Sequence, residues 1–194
     1  MTEERRNILT FAKNLVVDAV KGVGDVLQAA VDAVSGTLVG ALKGVGAITQ
    51  EATNVIFDTV RGVIQGVADT GQDLTKAAKG IMIGLVRATG ETGTETMGAI
   101  ETTASAVVKS TSEVGGDIVD AAKGTVEGAI EGAKELGLSV EDAASAAATG
   151  AVKAAGDISA SAGARVRDGL SSTISGVKVV VKAPFNNEDD KEEK

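Results

Sequence analysis

The charges of this chain recur every eleven residues, and that period limits the folds open to it more than any other feature. From Phe11 to Asn186 the sequence divides into sixteen blocks of eleven without an insertion. Consecutive blocks read GVGDVLQAAVD (Gly22 to Asp32), AVSGTLVGALK (Ala33 to Lys43) and GVGAITQEATN (Gly44 to Asn54). Of the 35 charged residues in the blocks, 33 occupy block positions 3, 4, 7, 8 and 11; Glu141 and Arg165 are the exceptions. Eleven residues in three turns is about 3.67 per turn, close to the α-helical value and tending to a right-handed drift. A strand would need a period of two, which is absent.

On that helix, positions 1, 5, 9, 2, 6 and 10 form an uncharged face of roughly 160°. It includes Val20, Val31, Leu42, Ile64, Val86, Val108, Val119, Ile130 and Val152. The rims differ in sign. Positions 4 and 8 hold thirteen acids and no base, among them Asp25, Asp58, Asp69, Glu91, Glu113 and Asp117. Position 3 is mostly basic, with Lys13, Lys79, Lys123, Lys134 and Arg167. The opposed rims support either pairing within one helix or docking of basic edge on acidic edge between helices.

The period predicts an all-α protein: a long amphipathic helix, or a few long helices, over residues 11–175, with 1–10 as a lead-in. Only 2 % of residues are aromatic, and Ala, Val, Gly and Thr dominate. Cores draw much of their buried area from aromatic and large aliphatic side chains, so the expectation is a helix with no globular core. At position 6 glycines alternate with larger residues (Gly71, Met82, Gly93, Ala104, Gly115, Val126, Gly137, Ala148), a 22-residue superperiod. Hinges are expected near 71, 93 and 137–139, the last because Gly137 reads as a helix stop and Ser139 as an N-cap. Three Gly-x-x-x-Gly pairs, Gly40/Gly44, Gly62/Gly66 and Gly128/Gly132, would let helix backbones approach closely. Residues 176–194 leave the pattern. A β-branched run at 178–182 leads to Pro184, and an acidic, disordered tail is expected beyond it.

Function classes narrow as well. With no His and no Cys, imidazole catalysis, thiol nucleophiles, disulfides and the usual zinc and haem ligands are excluded. No complete phosphate-binding or nucleophile-elbow motif occurs, so no enzyme, metal, cofactor or small-molecule substrate is expected. Nucleic acid is not an expected partner, because no basic patch with interleaved aromatics exists. No secretory h-region or span-length apolar run is present, so a cytoplasmic location is expected, with peripheral attachment to a membrane or lipid droplet as an option. The wide apolar face must be covered, either by a lipid or other apolar surface or by copies of the chain.

Undivided eleven-residue repeats rich in Ala, Val, Thr, Gly and Lys resemble those of the synucleins, the group 3 late-embryogenesis-abundant proteins and the perilipins. Stretches such as Lys43-Gly44-Val45-Gly46-Ala47 and Lys123-Gly124-Thr125-Val126-Glu127-Gly128-Ala129 carry the likeness, and the 22-residue pairing is similar to that of exchangeable apolipoproteins. The resemblance implies a protein disordered in solution that becomes helical on lipid surfaces or on drying, and the wide apolar face suits a coat for a membrane, lipid droplet or other apolar surface, with a stress-protective variant. The strict synuclein motif is absent, and lysine does not border both sides of the face. The alternative expectation is a self-assembling structural homo-oligomer: a right-handed hendecad coiled coil, a bundle or a filament.

Overall fold

A computed structural model describes residues 3–44 and 46–181. Eight helices follow one another: α1 Glu3–Val23, α2 Val26–Leu42, α3 Gln50–Asp69, α4 Leu74–Thr92, α5 Thr96–Glu113, α6 Ile118–Leu136, α7 Val140–Ile158 and α8 Ala160–Leu170. A short antiparallel hairpin follows, β1 Thr173–Ile174 with β2 Val177–Lys178.

The helix ends are written in the sequence at 22-residue spacing. Gly71, Gly93, Gly115 and Gly137 all adopt the left-handed conformation, φ between 67° and 74°, which costs glycine nothing and other residues a good deal. Two residues beyond each glycine stands a side chain that caps the next helix. Asp73 accepts from the amides of Thr75 and Lys76, Glu95 from Met97 and Gly98, Asp117 from Val119 and Asp120, and Ser139 from Asp142. Each such cap is worth about 1 kcal/mol, because it satisfies amides that a helix start leaves unbonded. Gly24 followed by the cap Asp25 is a shorter version. Between α2 and α3 the link is longer, residues 43–49, and the Gly46 carbonyl accepts from the Glu95 amide.

Links this short make consecutive helices antiparallel, so alternate helices run parallel. The ion pairs confirm the direction: along α1 and α3, Arg5 meets Asp58 and Lys13 meets Asp69. The result is a two-layer array. In one layer α1, α3, α5 and α7 lie side by side, in the other α2, α4 and α6, and α8 packs on α7 and α6.

Two expectations are corrected here. There is no single long helix, since the superperiod glycines are turns and the chain folds back at each one. There is a globular core: Leu38, Leu42, Ile56, Ile64, Ile81, Met82, Leu85, Ile100 and Ile130 are all fully buried. The lead-in at 1–10 already belongs to α1 from Glu3 onward. From 176 the described chain runs through β2 and the residues after it, with Val177 and Val179 buried. Pro184 and the acidic tail lie outside the described residues.

The core forms with Phe57 as a half-buried aromatic at its margin, because glycine lets the backbones approach. A Cβ added at Gly84 would stand 2.6 Å from the Val31 carbonyl oxygen on α2, and one at Gly66 2.9 Å from the Lys13 carbonyl oxygen on α1. On α6, a Cβ at Gly128 would meet Met82 Cβ at 2.9 Å and one at Gly132 would meet Val86 Cβ at 2.8 Å. Each interior glycine weakens its own helix by about 1 kcal/mol relative to Ala. Close contact with the neighbouring helix offsets that loss through dispersion.

Candidate interaction surface

The expected apolar face becomes the inside of the array. Val20, Val31, Leu42, Ile64, Val86, Val108, Ile130 and Val152 are buried, and Val119 is half-buried. What covers this face, among the described residues, is the rest of the same chain.

The charged rims divide between two tasks. Asp58, Asp69 and Glu113 pair across helices with Arg5, Lys13 and Arg61 at 2.6, 2.5 and 2.9 Å. Asp25 and Asp117 instead cap helix N-termini, and Glu91 is exposed near the end of α4. On the basic side, Lys13 and Lys79 reach across helices, Lys79 to Glu131 at 2.8 Å. Lys123 stays on its own helix, 3.6 Å from Asp120. Lys134 and Arg167 are exposed in the last turns of α6 and α8.

The pairs between helices share a polarity. In Arg5–Asp58, Lys13–Asp69, Arg61–Glu113, Lys79–Glu131, Arg87–Glu135 and Lys109–Asp157, the base belongs to the earlier helix and the acid to its next parallel neighbour. In these pairs the earlier helix thus presents a basic edge forward and the later one an acidic edge to the rear. Asp58 is the one acid of the set that is buried, 2 % exposed, and it accepts both Nε and Nη2 of Arg5. The bidentate bond from Arg87 holds the Glu135 carboxyl below its ordinary range, and the hydrogen bond from Lys109 does the same for Asp157. Hydrogen bonds to Asp58 and Glu135 raise Arg5 and Arg87 in turn.

One surface feature had no sequence candidate. Between α3, α5 and α7 runs a groove of about 400 Å³, with Ile48 and Phe57 as its apolar wall and Glu101, Lys109, Lys153 and Asp157 as its charges. It opens because α3 and α5 approach less closely than their neighbours. Where α3 has Gly62 and α7 has Gly150, α5 has Ala106. Both glycines sit against a carbonyl of the preceding parallel helix, that of Leu9 and that of Glu101, so a methyl group at this position calls for a wider spacing. The departure from glycine at this repeat position was the available signal.

Of the three Gly-x-x-x-Gly pairs, Gly62/Gly66 and Gly128/Gly132 do lie against a neighbouring helix, whereas Gly40 and Gly44 face open space. Gly80/Gly84 on α4, not singled out in the sequence, packs against Leu27 and Val31 of α2. No cluster of three or more potential metal ligands occurs among the described residues, and no helix of the structure is long and apolar enough to cross a membrane. No protein-family model matches the chain, and a search of curated proteins finds no relative.

Proposed function

We propose that this chain is a non-enzymatic structural protein that works as a folded helical array and associates with copies of itself. The glycine placement carries the reading. Gly62, Gly66, Gly80, Gly84, Gly124, Gly128, Gly132 and Gly150 stand where another helix packs against them. On a lipid surface the same glycines would only weaken the helix. Their cost is offset when a backbone lies within contact distance, so they favour a chain shaped for helix-on-helix contact. The forward and rear charged edges add directional pairing to it.

The test is circular dichroism with sedimentation equilibrium, in buffer without lipid. Strong helicity with a mass above the 19.3 kDa of one chain supports the reading. A coil spectrum, or a single-chain mass at every concentration, rejects it.

A second reading has a specific observation behind it. The eleven-residue register runs through every turn without an insertion, so straightening the turns would regenerate one continuous amphipathic helix. That suits a coat for a membrane, lipid droplet or other apolar surface, attached peripherally and in the cytoplasm. Its measurement is the same spectrum with neutral and anionic vesicles: helix gained on lipid, together with loss of the thermal unfolding transition, would favour the coat. Under both readings the chain takes no cofactor, nucleic acid or small-molecule substrate.

A further inference from the structure

The two ends of the array are finished differently. At the C-terminal end the repeat is closed off. Ser105 on α5 donates its hydroxyl to the Gly150 carbonyl on the next parallel helix at 3.0 Å; Ser145 on α7 donates in the same way to the Val180 carbonyl at 2.6 Å. The segment after β2 therefore accepts the bond that a further helix would, and Ile174, Val177 and Val179 are buried. The outside of α8 is polar, with Arg165, Arg167 and Asp168 exposed. Repeat arrays are closed in solution by terminal units of this polar kind.

Among the described residues, the N-terminal end has no such closure. Gly24 and Gly71 end α1 and α3, and 47 residues separate them. That offset places Phe11 where α3 has Asp58, and Leu15 where α3 has Gly62. Both side chains are on the surface, Phe11 58 % and Leu15 37 % exposed. On the neighbouring helix, the caps Asp25 and Asp73 set an offset of 48, which places Gly36 of α2 where α4 has Gly84. Gly84 is pressed against Val31, whereas nothing lies within 4 Å of a Cβ built at Gly36 or Gly40.

We propose that this end face, formed by α1 and α2, docks a second copy of the same chain in a closed two-fold dimer. The inference rests on the self-associating reading above and names its surface. Continuity with the internal interface identifies the occupant as helical, because the corresponding face of each later helix pair is covered by the pair before it. Another array continuing head to tail is excluded. Leu15 and Phe11 stand where close parallel approach needs a glycine and a small polar residue, and at the far end the Ser145 hydroxyl is already bonded to the Val180 carbonyl. A two-fold axis running between α1 and α2 sets α1 of each copy over α2 of the other. The two large side chains of one copy then face the two glycines of its partner, on both sides at once. An isologous contact of this kind closes, and no free face remains for growth.

The experiment is sedimentation equilibrium of the full chain over nanomolar to micromolar concentration, with two double variants followed by circular dichroism. Phe11→Glu/Leu15→Glu removes the knobs from a surface already in contact with water. Gly36→Gln/Gly40→Gln fills the open face with good helix formers and raises the helix propensity of α2. The expected result is a wild-type mass of two chains. Both variants should sediment at half that mass at the same concentration, the dissociation constant rising at least about tenfold, with helicity kept and the glycine variant melting no lower than wild type. Variants that stay dimeric overturn the assignment of this face while leaving self-association standing. Wild type that grows into open polymers overturns the closed symmetry. A monomeric wild type overturns the proposal and the reading beneath it together. Monomers recruited to phosphatidylcholine vesicles through Phe11 and Leu15 overturn the choice of a second copy as occupant.

Discussion

The interfaces α4–α6 and α3–α5 join equivalent helices of the two layers, yet one is tight and the other open. On α6, Gly124, Gly128 and Gly132 lie in a row against Thr75, Lys79, Met82 and Val86, and two ion pairs, Lys79–Glu131 and Arg87–Glu135, close the outside. On α5 the corresponding edge has no glycine facing α3; Arg61–Glu113 is the ion pair among the described residues, and the groove at Phe57 lies beside it. The same fold thus contains a version of its repeat contact with glycine and one without. Where α6 has Gly124, Gly128 and Gly132, the same block positions of α5 hold Thr102, the Ala106 methyl group and Ser110: side chains on the packing edge separate two backbones, and the space that opens is large enough to form a groove.

The largest expected effect comes from adding that methyl group where it is absent. Gly128→Ala should lower stability by about 1–3 kcal/mol through overpacking against Lys79 and Met82, although alanine is the better helix former by about 1 kcal/mol. Urea unfolding would measure it, and a stabilised variant would mean that close approach is not what these glycines are for. The reverse change on the open side, Ala106→Gly, should cost no more than the propensity difference of about 1 kcal/mol, since no tight contact is lost.

Ion pairs give a second, smaller contrast. Asp58→Asn should destabilise more than Asp157→Asn, because Asp58 is buried beneath Arg5 whereas the Asp157 side chain is 56 % exposed. Melting temperatures of the two variants side by side would decide it. If they match, the buried pair contributes no more than a solvated one.

Three threonine hydroxyls offer a gain instead of a loss. Thr59, Thr103 and Thr111 are buried without a hydrogen-bond partner, and Thr59 and Thr103 stand at the same repeat position on α3 and α5. Replacing Thr103 with Val keeps the shape and removes an unsatisfied polar atom, so stability should rise by about 1 kcal/mol. No change in the unfolding midpoint would point to solvent reaching the hydroxyl.

The smallest effect is on pH dependence. The carboxyls of Glu135 and Asp157 are held low by Arg87 and Lys109. Their contribution is therefore complete above the ordinary carboxylate range, near about pH 4, and fades as pH falls through the lowered folded values. A Glu135→Gln/Asp157→Asn variant should lose less stability than wild type between about pH 5 and about pH 3. Parallel acid titration curves would remove these two groups from the account.

How much of this the sequence revealed depended on which residues had two readings. The uncharged face marked by the period, from Val20 to Val152, lies within the array apart from the half-buried Val119, because a 3.67-residue repeat of apolar positions means the same thing on a long helix or on several short ones. Direction was harder. Asp73, Glu95 and Asp117 sit at the same block position as acids on a solvated rim, and only the glycine two residues before each marks them as caps. Ser139 was recognisable because Gly137 and Asp142 flank it. The absence of a core was inferred from the scarcity of aromatics, and glycine defeated that inference: small side chains bury less area each, but they let two backbones share the space a ring would have filled. The groove at Phe57 was invisible, since a single Ala106 among many small residues has no meaning until its helix has a neighbour.

The 22-residue turn spacing has a further consequence for how such a chain can change length. Because six bases pair with acids on the next parallel helix, removing one 22-residue unit would move every downstream helix into the opposite layer and set wrong edges together. Removing or duplicating 44 residues would return each helix to its own layer with its turn glycine, its cap and its charge partner in place. The architecture therefore admits growth and shrinkage in whole helix pairs, as a zip fastener admits whole teeth, and forbids it in single helices.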